Sequence, residues 1–301
     1  ASTITVKETE PMSQTAWLVD GTAYVFRSYY SMRPIEAPDG TPVNAVFGLG
    51  MTLQRFLQDE SPSHLAVIFD AGRKTFRNEI YPEYKANRGE PPEDLAVQFD
   101  LCPALTKAMG IATFLKKGFE ADDLLASMAA RLLERGFEVR VVTGDKDLSQ
   151  ILGPGLRIYD LAKGRHFGAE EVPSLLGVRS GQVVDLLALM GDSSDNIPGV
   201  PGVGKKSAIA LLAAFENLDA IYENLDAIET LELRGAKSLR KKLEAGRESA
   251  YLSHRLVRLR QDIPLAFEPA NLRYLGAEKK ALDEFAERWG LRRVAARVPR
   301  R

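Results

Sequence analysis

The 301-residue chain is 45% apolar and 27% charged, the proportions of a folded protein long enough for one large domain or two modest ones. Cys102 is its only cysteine, which excludes an internal disulfide framework and suits a reducing cytoplasm; no apolar run approaches the ~18–20 residues that span a bilayer, which argues against a membrane partner. Lys and Arg number 40 against 41 Asp and Glu, a formal charge of −1, so a uniformly basic surface is excluded and any strong field must come from segregated charges.

Residues 1–15 are polar and aperiodic and read as a disordered leader, in which Met12 could be a native start. A buried strand over 16–20 ends in Asp20, and Arg27 follows closely enough to face the same edge. Apolar spacing predicts a helix over 44–57, and a second buried strand, 65–70, ends in Asp70. Residues 71–88 then set Arg73, Lys74, Arg77, Lys85 and Arg88 among Phe76, Tyr81 and Tyr84. Cations interleaved with flat rings suit a nucleic-acid groove, and composition alone divides evenly between that and a solvated loop. The position just after Asp70 favours the groove. A Gly-Pro-rich break at 89–92 leads to a helix over 94–109 and a short strand over 111–115.

Glu120, Asp122 and Asp123 open a helix over 122–135, with Leu124, Leu125, Met128 and Leu132 behind them at helical spacing. Carboxylates in a first turn complement the helix dipole, which accounts for one or two of them. A strand over 137–143 runs into Asp145 and Asp147, and the last strand covers 156–160. This alternation predicts an α/β fold with a mainly parallel sheet and flanking helices. In such a sheet Asp20, Asp70 and Asp145 converge at the carboxyl ends of the strands, beside the Glu120 helix. Five or more ionised carboxylates share a cleft only with cations between them, and an all-oxygen set suits Mg2+ or Mn2+. The expectation is a metal-dependent phosphoryl-transfer site.

From residue 181 the pattern is helical, strongest over 183–190. Gly199, Gly204 and Lys205 have the spacing of a P-loop, but Lys206 replaces its Ser or Thr and a helix, not a strand, precedes it. A hairpin between helices fits better: Gly199, Gly202 and Gly204 let backbone N–H groups approach a phosphate, with Lys205 and Lys206 at the next helix start. Asp192 and Asp195 precede the hairpin, so this region folds back onto the cleft; capping or an Asx turn would satisfy one of them. Lys237, Arg240, Lys241 and Lys242 form either a phosphate face or a solvated one. The tail 266–301 holds one amphipathic stretch and a basic end, and His64, His166 and His254 read as structural. Setting aside the nine cleft acids leaves 32 against 40 bases, an excess of +8 outside the cleft.

Asp20, the 69–70 and 84–88 stretches, 120–123, 143–147 and 191–199 together, in this order, resemble the bacterial 5′-nuclease (flap endonuclease-like) family, as at the N-terminus of DNA polymerase I. The resemblance runs from about residue 16 to 265; Gly144 stands where that pattern commonly has Ala. It implies an α/β nuclease core over 16–180 with a helical arch at about 71–110, a helical DNA-binding region over 181–265 with its helix-hairpin at 191–208, and the tail over 266–301. It also implies two Mg2+ ions, Mn2+ substituting, one on Asp20, Asp70, Glu120 and Asp122. Asp145, Asp147 and Asp195 would hold the second, with Asp123 and Asp192 nearby. The resemblance gives Lys85 and Arg88 the scissile phosphate, Tyr84 a stacking place on a displaced base and the hairpin a grip on duplex DNA, with K+ a further candidate there; position in the sequence adds Arg27 to the catalytic set, and the base-aromatic stretch adds Arg73, Lys74 and Arg77 to the DNA-binding one. The implied partners are DNA with 5′ flaps, nicks or 5′ ends, and RNA primers as a further candidate, bound by a monomer in the bacterial cytoplasm.

Overall fold

Six strands form one sheet in the order β3-β2-β1-β4-β5-β6. They are β1 Thr15–Asp20, β2 His64–Ile68, β3 Ala112–Phe114, β4 Glu138–Val142, β5 Leu156–Asp160 and β6 Arg165–Phe167. The structure is a computed structural model that describes residues 14–232 and 235–301; the leader up to residue 13, with Met12, lies outside the described residues. β1 to β5 pair in parallel, as the βα alternation requires, with Val19 beside Val67 on one flank and Val142 on the other. β6 turns back antiparallel to β5, a strand beyond residue 160 where the sequence pattern showed none. It is three residues long with two exposed, too short to display an apolar alternation.

Strand side chains alternate between faces, so one buried run feeds two cores. Ala16, Leu18, Ala66, Ile68, Val139 and Val141 pack against the Ala121–Glu134 helix. Trp17, Val19, Leu65, Val67 and Val142 pack against the Asn44–Glu60 helix. That helix buries Val46, Leu49, Leu53, Phe56 and Leu57 almost completely, about 1.5–3 kcal/mol for each side chain removed from water. The strand order reverses between β1 and β4, and such a switch point leaves a crevice at the carboxyl ends of the strands.

The second region is helical: Val183–Met190, Lys205–Phe215, Ala236–Ala245 and Arg247–Val257 are its main pieces. Its entry is a close crossing of backbones, where Gly199 has φ +62° and a Cβ would lie 2.3 Å from Gly191 N. Beyond residue 257 the chain returns across the Ala121–Glu134 helix, with Ser127 Oγ donating to Arg260 O at 3.0 Å. It finishes against the first layer, where Gln54 Nε2 donates to the carbonyls of Arg293 (3.0 Å) and Val294 (2.7 Å).

Candidate metal centre and nucleic-acid cleft

A cavity of ≈ 840 Å³ opens at the switch point, lined by Asp20, Asp70, Glu120, Asp122, Asp145, Asp147, Asp192 and Asp195 together with Lys85 and Arg88. Each strand end delivers its carboxylate with a hydrogen bond that fixes it. Asp20 closes β1 and caps the next helix, accepting from Ala23 N at 3.0 Å, while its other oxygen accepts from Thr143 Oγ1 at 2.9 Å. Thr143 also receives Asp145 N at 3.1 Å, and Asp145 receives Asp147 N at 2.8 Å, so one buried hydroxyl ties the β1 and β4 ends together. Asp70 accepts from Ala121 N at 2.6 Å at the start of the Ala121–Glu134 helix, and its own N–H donates to Thr22 Oγ1 at 2.8 Å.

The electrostatics of this cluster are those of too much negative charge. Burial, then Asp70 and Asp145, push Asp20 up to about 7, despite the bonds from Ala23 and Thr143. Burial, then Asp145, Asp192 and Asp195, likewise push Asp147 up to about 7. Asp122 is held well above the usual carboxylate range by burial and next by Asp20, Asp145, Asp70 and Glu120. Asp70 is exposed at the cavity mouth, yet desolvation by the surrounding cleft raises it too, with Glu120 adding and the Ala121 N–H opposing. The donors are all carboxylate oxygens, the chemistry of a Mg2+ or Mn2+ site, and their charge is only partly relieved by cations of the chain. Among the described residues no three of them stand close enough to cage an ion as placed; part of the rim is taken by internal cations instead. Lys85 Nζ lies 2.8 Å from Glu120 Oε1 and 3.6 Å from Asp195 Oδ2, and Arg88 pairs with Asp195. Burial works against the Lys85 ammonium, but Glu120 and Asp195 outweigh it and its pKa is raised.

Five expectations change with where the side chains and backbone groups are placed. Asp123 is 0% exposed and faces the core, not the cavity: Arg77 donates to both its oxygens at 2.6 and 2.8 Å, and Arg260 N adds a third bond at 3.0 Å. Arg77, 1% exposed, is therefore no surface cation for DNA; its Nε also donates to Leu256 O at 2.6 Å. Tyr84 is 4% exposed, so its ring offers no face to a base, and its hydroxyl is shared between Glu120 (3.1 Å) and Asp195 (3.2 Å). Arg27 lies exposed on the first helix outside the cavity lining, where Phe26 stands instead. Gly199 spends its N–H on Ser253 Oγ at 2.9 Å and cannot offer it to a phosphate.

The rest of the hairpin is open. Gly202, Gly204, Lys205 and Lys206 are exposed, and Lys205 starts its helix. Gly202 O accepts from Lys242 Nζ at 3.2 Å and Arg240 pairs with Asp226 at 2.8 Å, so two cations of the Ala236–Ala245 helix serve structure. Arg73 and Lys74 are exposed, Arg73 paired with Glu90. Asp192 makes the Asx turn to Ser194 N at 2.8 Å and still lines the cavity. His64, His166 and His254 lie outside it.

Sequence reasoning missed Thr22, Thr143, Phe26, Asn87 and Asn196. Thr143 sat inside a motif noted for its aspartates, and a Thr before a carboxylate-bearing turn was the available signal. Phe26 and the asparagines gave none, because their significance depends on partners far along the chain.

Residues 15–177 match the N-terminal resolvase-like domain of 5′-3′ exonucleases, and residues 178–280 match the family's C-terminal SAM fold. The 5′-3′ exonuclease of Buchnera aphidicola subsp. Schizaphis graminum is 36% identical over 249 residues, covering 82% of this chain and 87% of that protein. DNA polymerase I of Bacillus caldotenax is 37% identical over 267 residues, 87% of this chain but 30% of the polymerase, so the chain spans about a third of that relative. Bacteriophage T5 D15 flap endonuclease, solved as a pseudo-enzyme-product complex with DNA and metal ions, has the same fold: TM-score 0.66 and 24% identity, covering 94% of this chain and 100% of that one. No single helix among the described residues is long and apolar enough to cross a membrane.

Proposed function

The chain belongs to the 5′-3′ exonuclease family, and on that premise we propose that it is a structure-specific 5′ nuclease, hydrolysing DNA phosphodiesters at 5′ flaps, nicks and 5′ ends during replication and repair in the bacterial cytoplasm. The observation that carries this reading is the cluster of eight carboxylates at the switch point, where burial and then neighbouring acids push Asp20 and Asp147 up to about 7.

In this reading Asp20, Asp70, Glu120 and Asp122 hold one divalent ion, and Asp145, Asp147 and Asp195 the second, with Asp192 beside it. Two bound Mg2+ ions, or Mn2+ in their place, would supply an activated water and charge for the leaving oxygen. The chain's own groups do the rest. Thr143 holds Asp20 and Asp145 in register. Lys85 and Arg88 carry positive charge at the cavity rim, where it stabilises the phosphate as charge develops. Phe26, 37% exposed on the lining, offers the flat apolar face that the buried Tyr84 cannot. Gly202, Gly204, Lys205 and Lys206 hold the duplex backbone away from the cut, with K+ a candidate there, and the protein acts as a monomer, on RNA primers as well as DNA.

The test is Mg2+-dependent cleavage of a 5′-flap substrate. Asp145→Asn with Asp147→Asn should abolish it while flap binding persists. Retained cleavage at saturating Mg2+ sinks the two-metal assignment; a wild-type protein that binds the flap and never cuts is a binding protein of the same fold.

A further inference from the structure

Residues 83–88 lie across the loop 192–196 and are fastened to it along their whole length. Asn196 Nδ2 donates to Glu83 O at 2.6 Å, and Asn87 Nδ2 donates to Ser193 O at 2.7 Å. Between these clips Lys85 N donates to Asp195 O at 2.9 Å and Arg88 Nε to Ser194 O at 3.2 Å. Lys85 and Asn196 both have left-handed backbones, φ 56° and 55°. Asn tolerates that region; Lys enters it at a cost and stays only where its surroundings hold it.

Held this way, Lys85 and Arg88 sit on Glu120 and Asp195, one carboxylate from each of the two ion-binding groups assigned above. Each of those acids has one set of oxygens, and a side-chain cation against them fills the place a divalent ion needs. We propose that Asn87 and Asn196 are positioning residues of a latch, which keeps Lys85 and Arg88 on Glu120 and Asp195 until divalent cations displace them, so that latch closure and cation binding compete. Linkage makes this reciprocal: the cation frees residues 83–88, the strap of this latch, and whatever loosens the strap tightens cation binding. Release also frees both side chains at the moment a phosphate needs them.

The inference rests on the proposed metal centre, and a charge-neutral variant separates the two. Asn87→Ala with Asn196→Gly removes both clips, alters no charge, and keeps a residue at 196 that accepts a positive φ. Mn2+ titration of the full-length protein without DNA should show roughly 3–10-fold tighter binding in the double variant, the scale set by losing two exposed hydrogen bonds from the closed state. Trypsin nicking after Lys85 and Arg88 should rise on adding Mn2+ to the wild type, and should already be high in the variant. Unchanged or weaker Mn2+ affinity in the variant, or Mn2+ that protects the strap, overturns the latch. Absence of saturable Mn2+ binding by the wild type overturns the metal centre itself.

Discussion

The first turn of the Ala121–Glu134 helix looks into two different regions. Asp122 faces the cavity, where burial and four neighbouring acids hold its carboxyl well above the ordinary range. Asp123, the next residue, faces the core, where Arg77 and Arg260 N satisfy both its oxygens. Both are acids in the same turn of the same helix, Asp123 fully buried and Asp122 partly so. What separates them is whether a counter-charge is built in, and that decides whether a carboxylate stabilises the fold or waits for a ligand.

Substitution can break this contrast directly. Asp123→Asn leaves Arg77 buried without its partner and should cost about 3–5 kcal/mol of stability, read from urea unfolding. Asp122→Asn removes one of several repelling charges and should leave the metal-free protein as stable or more so. Equal losses in the two variants would mean that the cavity acids are as well compensated as the core one.

Lys85 sharpens it from the rim. Lys85→Ala should lower single-turnover cleavage by ~10²–10³ with little change in flap affinity, since the charge matters most as the phosphate reacts. Lys85→Arg should recover part of the rate. An affinity loss with an untouched saturated rate would reduce Lys85 to a phosphate clamp.

A further effect on stability follows from pH. Asp20 and Asp147 titrate near 7 in the fold against 3.8 in the unfolded chain, so between those values the folded state holds protons that the unfolded state has released. Their contribution to metal-free stability therefore falls as pH rises from about 4 to about 7, and above 7 the penalty is complete. Melting curves in EDTA should show that decline, and Mg2+ should flatten it; identical profiles with and without Mg2+ would contradict it. The smallest effect belongs to the hairpin, where Lys205→Ala with Lys206→Ala should reduce the log–log salt slope of duplex binding by roughly 1–2 and leave the saturated cleavage rate alone.

How much of this was legible beforehand depended on range. The helix at Val183–Met190 and the one at Ala121–Glu134, expected at 122–135, stand out because their apolar residues recur within one turn of each other. Asp20, Asp70 and Asp145 were readable because a buried strand ending in a carboxylate is a local pattern. Arg77 was not: its type and neighbours suggest a surface cation, and only Asp123, 46 residues away, and Leu256 O, 179 away, make burial tolerable. Gly199 misled in the same way, since the acceptor of its N–H, Ser253, lies 54 residues on. Local patterns found the acids; they could not find the distant groups that partner some of them.

The return of the chain to its first layer has a consequence for how the protein comes to fold. Gln54 closes its hydrogen bonds on carbonyls 239 and 240 residues later, and a Cβ on Gly50 would stand 2.5 Å from Val294 Cγ1, so the Asn44–Glu60 helix is shaped for a neighbour made near the end of this sequence. Contacts of such separation raise the contact order and slow the search for the native state. During synthesis at about 5–20 residues per second, the face of that helix around Gly50 and Gln54 stays without this neighbour for roughly 10–50 s. Over that interval Gln54 and the notch at Gly50 face the solvent, a surface that the finished protein never shows.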